Sequence, residues 1–296
     1  MPLTAYGLLI LTTLFWGGNA VAGKYAVGHV SPMLLTTLRW GLAFAILLLF
    51  GHRRLRADWP VIRQNLPILV LLGASGFALF NVALYAALNF TSAVNASIEQ
   101  AGIPMVIFAA NYLFFRQRVG LGQIVGFVAA VLGVALTAAH GDFARLLALD
   151  VNFGDALMIV AVLVYSAYTV LLRFRPAIHW LSLIIVLTGA AFAASLPFMA
   201  GEWALNQSQA PDATGWALVA YICIFPSIIA QLFYIRGVEL IGANRAGLFI
   251  NLVPIFGTLL AIVLLGEAFY PYHAAALLLV LGGIAVAEWS GRRLEG

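Results

Sequence analysis

Glu99 and Gln100 stand inside "SAVNASIEQAGIPMVIFAANYLFF" (residues 92–115), a stretch that otherwise reads as lipid-soluble. A charge deep in such a stretch costs on the order of 2.5–3.5 kcal/mol on insertion scales, so it faces protein or water and takes a partner. Other polar residues are scattered through similar stretches: Asn19, Lys24, Arg39, Asn81, Tyr85 and Asn95 early in the chain, Tyr165, Tyr168, Gln231, Tyr234 and Asn251 later. Together they offer a cation for a carboxylate, a carboxylate or amides for an ammonium, and aromatic faces for an apolar body. That is the chemistry of holding a small organic molecule rather than of transforming one.

Reactive constellations are missing. No nucleophile stands beside a base, and no His, Asp and Glu residues have metal-ligand spacing. Cys223 is the single cysteine, which leaves no intramolecular disulfide and no thiolate cluster. "GNAVAGKY" (18–25) matches G-x-x-x-x-G-K, yet Tyr25 stands where a phosphate loop needs Ser or Thr for Mg²⁺, and the motif lies in an apolar run. No catalytic residue, metal or cofactor is expected, and an enzyme is not.

The elements that must position these residues follow from composition. The chain has 296 residues, 64% hydrophobic and 9% charged, where soluble domains carry roughly 25% charged residues. Such a chain has too little polar surface for water and needs a bilayer. Ten apolar runs meet the spanning length of about 20 residues: 5–27, 33–51, 66–88, 93–114, 120–138, 154–173, 180–200, 214–235, 244–265 and 270–290. They are too long for barrel strands and lack strand alternation, so the fold class is an all-α polytopic membrane protein. The longest connections, 51–65, 138–152 and 200–214, are too short for a soluble domain.

The net charge of +4 does not read as nucleic-acid binding, because the basic residues sit between apolar runs. With both termini in the cytoplasm, Arg53, Arg54, Arg56, Arg63, Arg116, Arg118, Arg173, Arg175, Arg236, Arg292 and Arg293 all face inward, and Arg145 is the exception. "AVAG" at the end of the first run resembles a signal-peptidase site, but no Lys or Arg precedes it, so the run is kept as a span.

Sliding the sequence by 150 residues lays 92–117 over 242–267 without a gap: Ala93 meets Ala243, Ala96 meets Ala246, Pro104 meets Pro254 and Gln117 meets Glu267. Each repeat holds five spans, 1–140 and 153–291, and an odd number forces the copies into opposite orientations. Inverted repeats build transporters that alternate between two faces around a midplane site. Steps of small residues such as "GLGQIVG" (120–126) read as helix packing.

"LFWGGNAVAGKYAVGHVSPMLLTTLRWGLA" (14–43), with its WG pair, SP and R-W, resembles the opening of the drug/metabolite transporter superfamily, EamA type. "GDALMIVAVLVYSAYTVLLRF" (154–174) and "GE" at 266–267 agree, and the likeness covers the whole chain. The resemblance, within the family strongest to aromatic amino acid exporters, implies ten helices as two inverted five-helix repeats. It also implies a central cavity lined by spans 1–4 and 6–9, with spans 5 and 10 as lateral supports, in a bacterial inner membrane.

By helical rise, Lys24, Arg39, Asn81 and Glu99 share one level of the membrane, with Glu99 about 9 Å below the outer end of its span. Each has two readings. Glu99 pairs with Arg39 or Lys24 to hold the fold, or it binds a ligand. Its repeat mate is Phe249, whereas a carboxylate needed for the packing of the repeat would recur. Lys24 either binds or snorkels. Gln231 mirrors Asn81, which suits an inner gate facing an outer one; interhelical hydrogen bonding is the plain alternative. Trp16 and Asn19 could join Tyr165 and Tyr168 as cavity walls, while Trp40 and Trp289 read as interfacial anchors.

The expected function is export of small organic metabolites, chiefly amino acids with aromatic or other apolar side chains, by a monomer in the lipid bilayer. Export of apolar cationic drugs is the alternative, and a sugar-phosphate or nucleotide-sugar carrier is less favoured because phosphate wants several cations. Without an ATPase motif, movement is facilitated or ion-coupled. Glu99 is the natural proton carrier, but a lone acid makes a poor relay, which favours facilitated movement.

Overall fold

The computed structural model describes residues 2–116, 120–142, 152–242, 246–247 and 249–295. Among them there is no strand, and eight helices are long and apolar enough to cross a bilayer, with two shorter apolar ones at Ile250–Leu265 and Pro271–Ala287. In chain order the ten spans are α1 (Pro2–Tyr25), α2 (Pro32–Gln64), α3 (from Leu66 to Ala87), α4 (from Ala93 to Phe115), α5 (Leu121–Ala138), α6 (Phe153–Leu171), α7 (Trp180–Ala204), α8 (from Ala213 to Ile241), α9 (from Ile250 to Leu265) and α10 (Pro271–Glu295). Arg118 and Arg145 lie outside the described residues, as do Asn244 and Arg245, which sequence reading placed on span 9.

Two boundaries differ from the hydropathy reading. α2 does not stop near residue 51 but runs on to Gln64 through "GHRRLRADWPVI", 33 residues in all. At about 1.5 Å per residue it is ~50 Å long, well beyond the ~30 Å hydrocarbon layer. Its far end keeps Arg53, Arg54 and Arg56 exposed while Ile62 packs inward. α4 is broken: one helix covers Ala93–Gln100, a second starts at Ile103, and Pro104 opens the second. Proline tolerates that place because the first turn has no partner for its missing N–H. Pro254 opens the corresponding helix of α9 after a 3₁₀ turn at Ile250–Leu252.

α3 and α8 each contain a π-helical turn, Ala74–Leu79 and Cys223–Ile229, at matching positions under the 150-residue shift. A π turn widens the helix and frees carbonyls for side chains. Trp40 Nε1 donates to Phe77 O at 3.0 Å and Trp16 Nε1 to Pro226 O at 3.2 Å. Trp40 is therefore a buried core residue, 3% exposed, and not an interfacial anchor, whereas Trp289 is 59% exposed.

The helices pack as α1 with α8 and α9, α2 with α7, α3 with α6 and α7, α4 with α6 and α9, and α5 with α10. Every one of these pairs has its counterpart five helices on, or is its own counterpart. α1 approaches α9 through Gly17, where a Cβ would sit 2.7 Å from Gly257 N, so the WG pair reads as a close backbone crossing. α5 and α10 meet through Gly126 and Gly283, each facing the carbonyl of the other, in line with the packing role of the small-residue steps.

Polar contacts tie the halves at the face opposite the chain termini. Glu202 accepts from Ser31 Oγ at 2.6 Å and from the N–H groups of Met33 and Leu34, capping α2. Glu267 accepts from Ala93 N at 2.8 Å and Val94 N at 2.9 Å, capping α4. His29 lies 2.8 Å from Asp212, the N-cap of α8, and that contact holds the Asp212 carboxyl below the usual carboxylate range.

Candidate transport site

Arg39 is the centre of the buried polar site. α2 buries it to 4% exposure, and every acceptor around it is neutral. Nε donates to Ser227 Oγ at 2.7 Å; Nη1 reaches Asn19 Oδ1 at 2.9 Å, Asn81 Oδ1 at 2.6 Å and Tyr85 Oη at 2.5 Å. Tyr85 donates onward to Asn19 Oδ1 at 2.7 Å, and Asn81 Nδ2 donates to Phe77 O at 2.7 Å. These bonds fix the orientation of both amides. Among the described residues no carboxylate lies within ion-pair distance of Arg39. The guanidinium has five N–H donors, and no hydrogen bond is seen for Nη2 among those residues.

An aromatic wall runs from this cation into the bundle. The guanidinium lies 4.4 Å from the centre of the Trp40 ring. Trp40 stacks on Phe77 at 4.8 Å, Phe77 meets Tyr168 at 5.9 Å, Tyr168 meets Tyr165 at 5.4 Å, and Tyr165 meets Phe80 at 4.9 Å. Gly76 is flat against Tyr168; a Cβ there would come within 2.3 Å of the ring. Tyr234 of α8 packs on Trp16 of α1 at 5.4 Å.

The polar residues expected in the site fall into three groups. Asn19, Arg39, Asn81 and Tyr85 meet in one network, joined by Ser227; Tyr165, Tyr168 and Tyr234 line the aromatic side. Gln231 follows the π turn of α8 and Asn251 occupies the 3₁₀ turn of α9, both half-buried. Lys24 stands apart. Its Nζ donates to Leu88 O at 2.8 Å and Thr91 O at 2.7 Å, closing the C-terminal end of α3, and it makes no hydrogen bond to the Arg39 network.

Asn95 and Glu99 belong elsewhere too. The pairing of Glu99 with Arg39 or Lys24 does not occur: Glu99 is fully buried and neither carboxyl oxygen has a hydrogen-bond partner among the described residues. Ser97, two residues earlier, faces Gly257 of α9. Two residues turn an α-helix by about 200°, which sends Glu99 to the other side, towards α5 and α6. It lines an apolar cavity of about 270 Å³ with Gly102, Met105, Val134, Ala138 and Val162. Asn95, one turn above on the same face, accepts a 3.0 Å hydrogen bond from His273 Nε2.

Three residues at these sites escaped sequence reading. Ser227 lies in a Pro-Ser step inside an apolar run. Asp155 sits in the first turn of α6, where an acid is ordinary helix-end chemistry. His273 is a single histidine within the apolar run 270–290. Their signals are local; their roles depend on neighbours from other helices.

Ten apolar helices around a buried polar site make a membrane transport protein. The EamA-like transporter family model matches the chain twice, at residues 3–139 and 152–288, and the chain belongs to that family, whose members are transporters and not enzymes. It is similar to an uncharacterized transporter of Bacillus subtilis, YyaM, at 25% identity over 97% of this chain and 94% of that protein. YetK of the same organism, also an uncharacterized transporter, is 24% identical over 95% of this chain and 86% of its own length. YicL of Salmonella typhimurium, an uncharacterized inner membrane transporter, is 23% identical over 99% and 98%. A solved crystal structure superposes with a TM-score of 0.66, covering 99% of both chains at 24% identity, and supports the fold alone.

Proposed function

We propose that the protein exports small zwitterionic metabolites, foremost amino acids with aromatic or other apolar side chains, by alternating access around Arg39. The observation that carries this reading is a buried guanidinium whose partners are all neutral. A buried cation normally takes an acid; here a substrate carboxylate would fill that role. The amides of Asn19 and Asn81 orient the guanidinium, and the Trp40–Phe77–Tyr168–Tyr165 wall receives an apolar side chain. Gln231, Tyr234 and Asn251 line the approach from the other half.

The resemblance to aromatic amino acid exporters agrees with this reading. Two family matches and the paired helix contacts support repeats at 1–140 and 153–291, inverted relative to each other. The exposed Arg53, Arg54, Arg56 and Arg236 on the termini side support cytoplasmic termini in a bacterial inner membrane. Export of apolar cations is the second reading, favoured by Glu99 in its apolar cavity. A sugar-phosphate carrier fits less well with one buried cation.

Flux of radiolabelled amino acids and lipophilic cations in proteoliposomes tests the proposal. Phenylalanine or tryptophan should move and compete with one another. Cation flux that neither amino acid inhibits would transfer the assignment to the second reading.

A further inference from the structure

Glu99 is the lower member of a second buried cluster, formed where α4, α5, α6 and α10 meet, on the opposite side of α4 from the Arg39 site. Asp155 of α6 is fully buried. Its Oδ1 accepts a short hydrogen bond from Thr91, and its Oδ2 lies 3.2 Å from His140 Nε2 without hydrogen-bond alignment. His140 follows α5 and is 32% exposed, so it reaches water at the face opposite the termini. His273 of α10 accepts from Tyr270 N at Nδ1, at 3.1 Å, which leaves Nε2–H to donate to Asn95. Asp155 stands in the first turn of α6, the helix packed against the Ala93–Gln100 part of α4 that carries Glu99.

The other charged groups around α4 are already committed. Glu267, between α9 and α10, caps the first turn of α4, and Lys24 of α1 is bound to two carbonyls. Glu99 and Asp155 are thus two buried carboxyl groups on packed helices, and among the described residues His140 is the partly exposed titratable side chain beside them. The floor of the cluster is the apolar cavity beside Glu99. Its rim residues Val131, Ile159 and Leu163 are 47%, 40% and 51% exposed on the lipid-facing surface.

We infer that Glu99 and Asp155 form a proton-carrying site that couples proton movement to transport. This rests on the proposed transport function and deepens it. A proton passes from water to His140, to an Asp155 oxygen and to a Glu99 oxygen; it is later released from Glu99 on the side of the termini, with no covalent change. An ionised carboxylate in an apolar cavity without donors is expensive, whereas a neutral one is tolerated. The proton-loaded form therefore favours the closed packing seen here, and the ionised form favours a state in which water reaches Glu99. α4 breaks at Ala101–Gly102, directly after Glu99, so the group that changes charge sits at the joint that can move. A ligand or proton shifts such an equilibrium only through its differential affinity for the two states, and this geometry supplies one. It also supplies, in Asp155, a second titratable relay beside Glu99.

Two measurements on the reconstituted full-length protein separate this inference from the parent proposal. The first needs no substrate. Dicyclohexylcarbodiimide is apolar, enters from lipid and attacks protonated carboxyl groups; peptide mass spectrometry locates the adduct. Labelling should appear on Glu99 and fall at least several-fold as pH is raised from about 6 to about 9. Absent labelling, or labelling indifferent to pH, overturns the site whether or not any amino acid is transported. The second follows phenylalanine flux with a trapped pH-sensitive dye. Wild type should move protons with substrate and accumulate it several-fold against its gradient when a pH gradient is imposed. Glu99→Gln and Asp155→Asn should lose that accumulation while labelled-for-unlabelled exchange continues. Wild-type flux without proton movement overturns the coupling and leaves the transport proposal standing.

Discussion

Replacing Arg39 by glutamine is the most direct probe of the central site. The substitution removes four hydrogen bonds, to Ser227, Asn19, Asn81 and Tyr85. Acceptors left unpaired cost about 1–3 kcal/mol each, but withdrawal of a buried charge with only neutral partners returns several kcal/mol of desolvation. The two terms oppose each other, and Tyr85 retains Asn19 as its acceptor, so the protein should fold with a modest shift in detergent melting temperature. Binding is affected differently. If the guanidinium holds a substrate carboxylate through two charge-assisted bonds at about 1.5 kcal/mol each, their loss is about 3 kcal/mol, or about 150-fold in affinity. The assay is half-maximal inhibition of labelled tryptophan flux by phenylalanine and by phenethylamine, its decarboxylated relative. Phenylalanine should weaken by about two orders of magnitude and phenethylamine by no more than about threefold. Arg39→Lys should recover little, since a point charge cannot reproduce the fork that reaches Ser227 and both amides. Equal weakening of both inhibitors, with the protein folded, would refute the reasoning and make Arg39 a structural tie.

Gly126→Val should separate α5 from α10, because even a Cβ at that position would lie 2.3 Å from Gly283 O; a destabilisation of about 1–3 kcal/mol is expected, read as a lower melting temperature, and wild-type stability would contradict the close crossing. His29 and Asp212 make a pH-dependent latch between the α1–α2 connection and α8: the hydrogen bond from His29 keeps the Asp212 carboxyl low, so its stabilisation is present above the ordinary aspartate range and is lost as pH falls through the lowered value. Amide exchange at residues 28–31 should accelerate in that acid range in wild type and be pH-flat in Asp212→Asn. Lys24→Met should uncap α3 and lower the melting temperature while reducing flux of amino acids and amines alike; a loss confined to carboxylated substrates would return Lys24 to the binding site. Single cysteines at Ala57 and Ser208 in a Cys223→Ala background should label from opposite sides of the membrane, and labelling of both from one side would undo the ten-span topology.

Membership of the membrane and the ten helices were legible because they depend on quantities summed along the chain. Twenty apolar residues cannot leave their backbone polar groups unpaired in lipid, so each run must become a helix wherever its neighbours lie. The breaks in α4 and α9 were legible in part, since Pro104 and Pro254 each remove a backbone donor. The continuation of α2 past residue 51 was hidden because charged residues ended the hydropathy run, although nothing in "GHRRLRADW" opposes a helix.

Depth in the membrane was likewise readable, because it follows from a fixed rise per residue. That measure put Lys24, Arg39, Asn81 and Glu99 at one level, and it says nothing of direction around each helix axis. Direction is decided by which helices pack together, and that depends on surfaces hundreds of residues apart in sequence. Packing gave Arg39 to Asn19, Asn81, Tyr85 and Ser227, turned Lys24 onto the end of α3, and carried Glu99 by about 200° from the Ser97 face into company with Asp155, His140 and His273. The pattern of residues is enough to require ten bilayer crossings and buried charge. Packing then separates the cation and the carboxylate into two sites, because burial forces every charge to find partners but leaves the choice among them to the neighbouring helices.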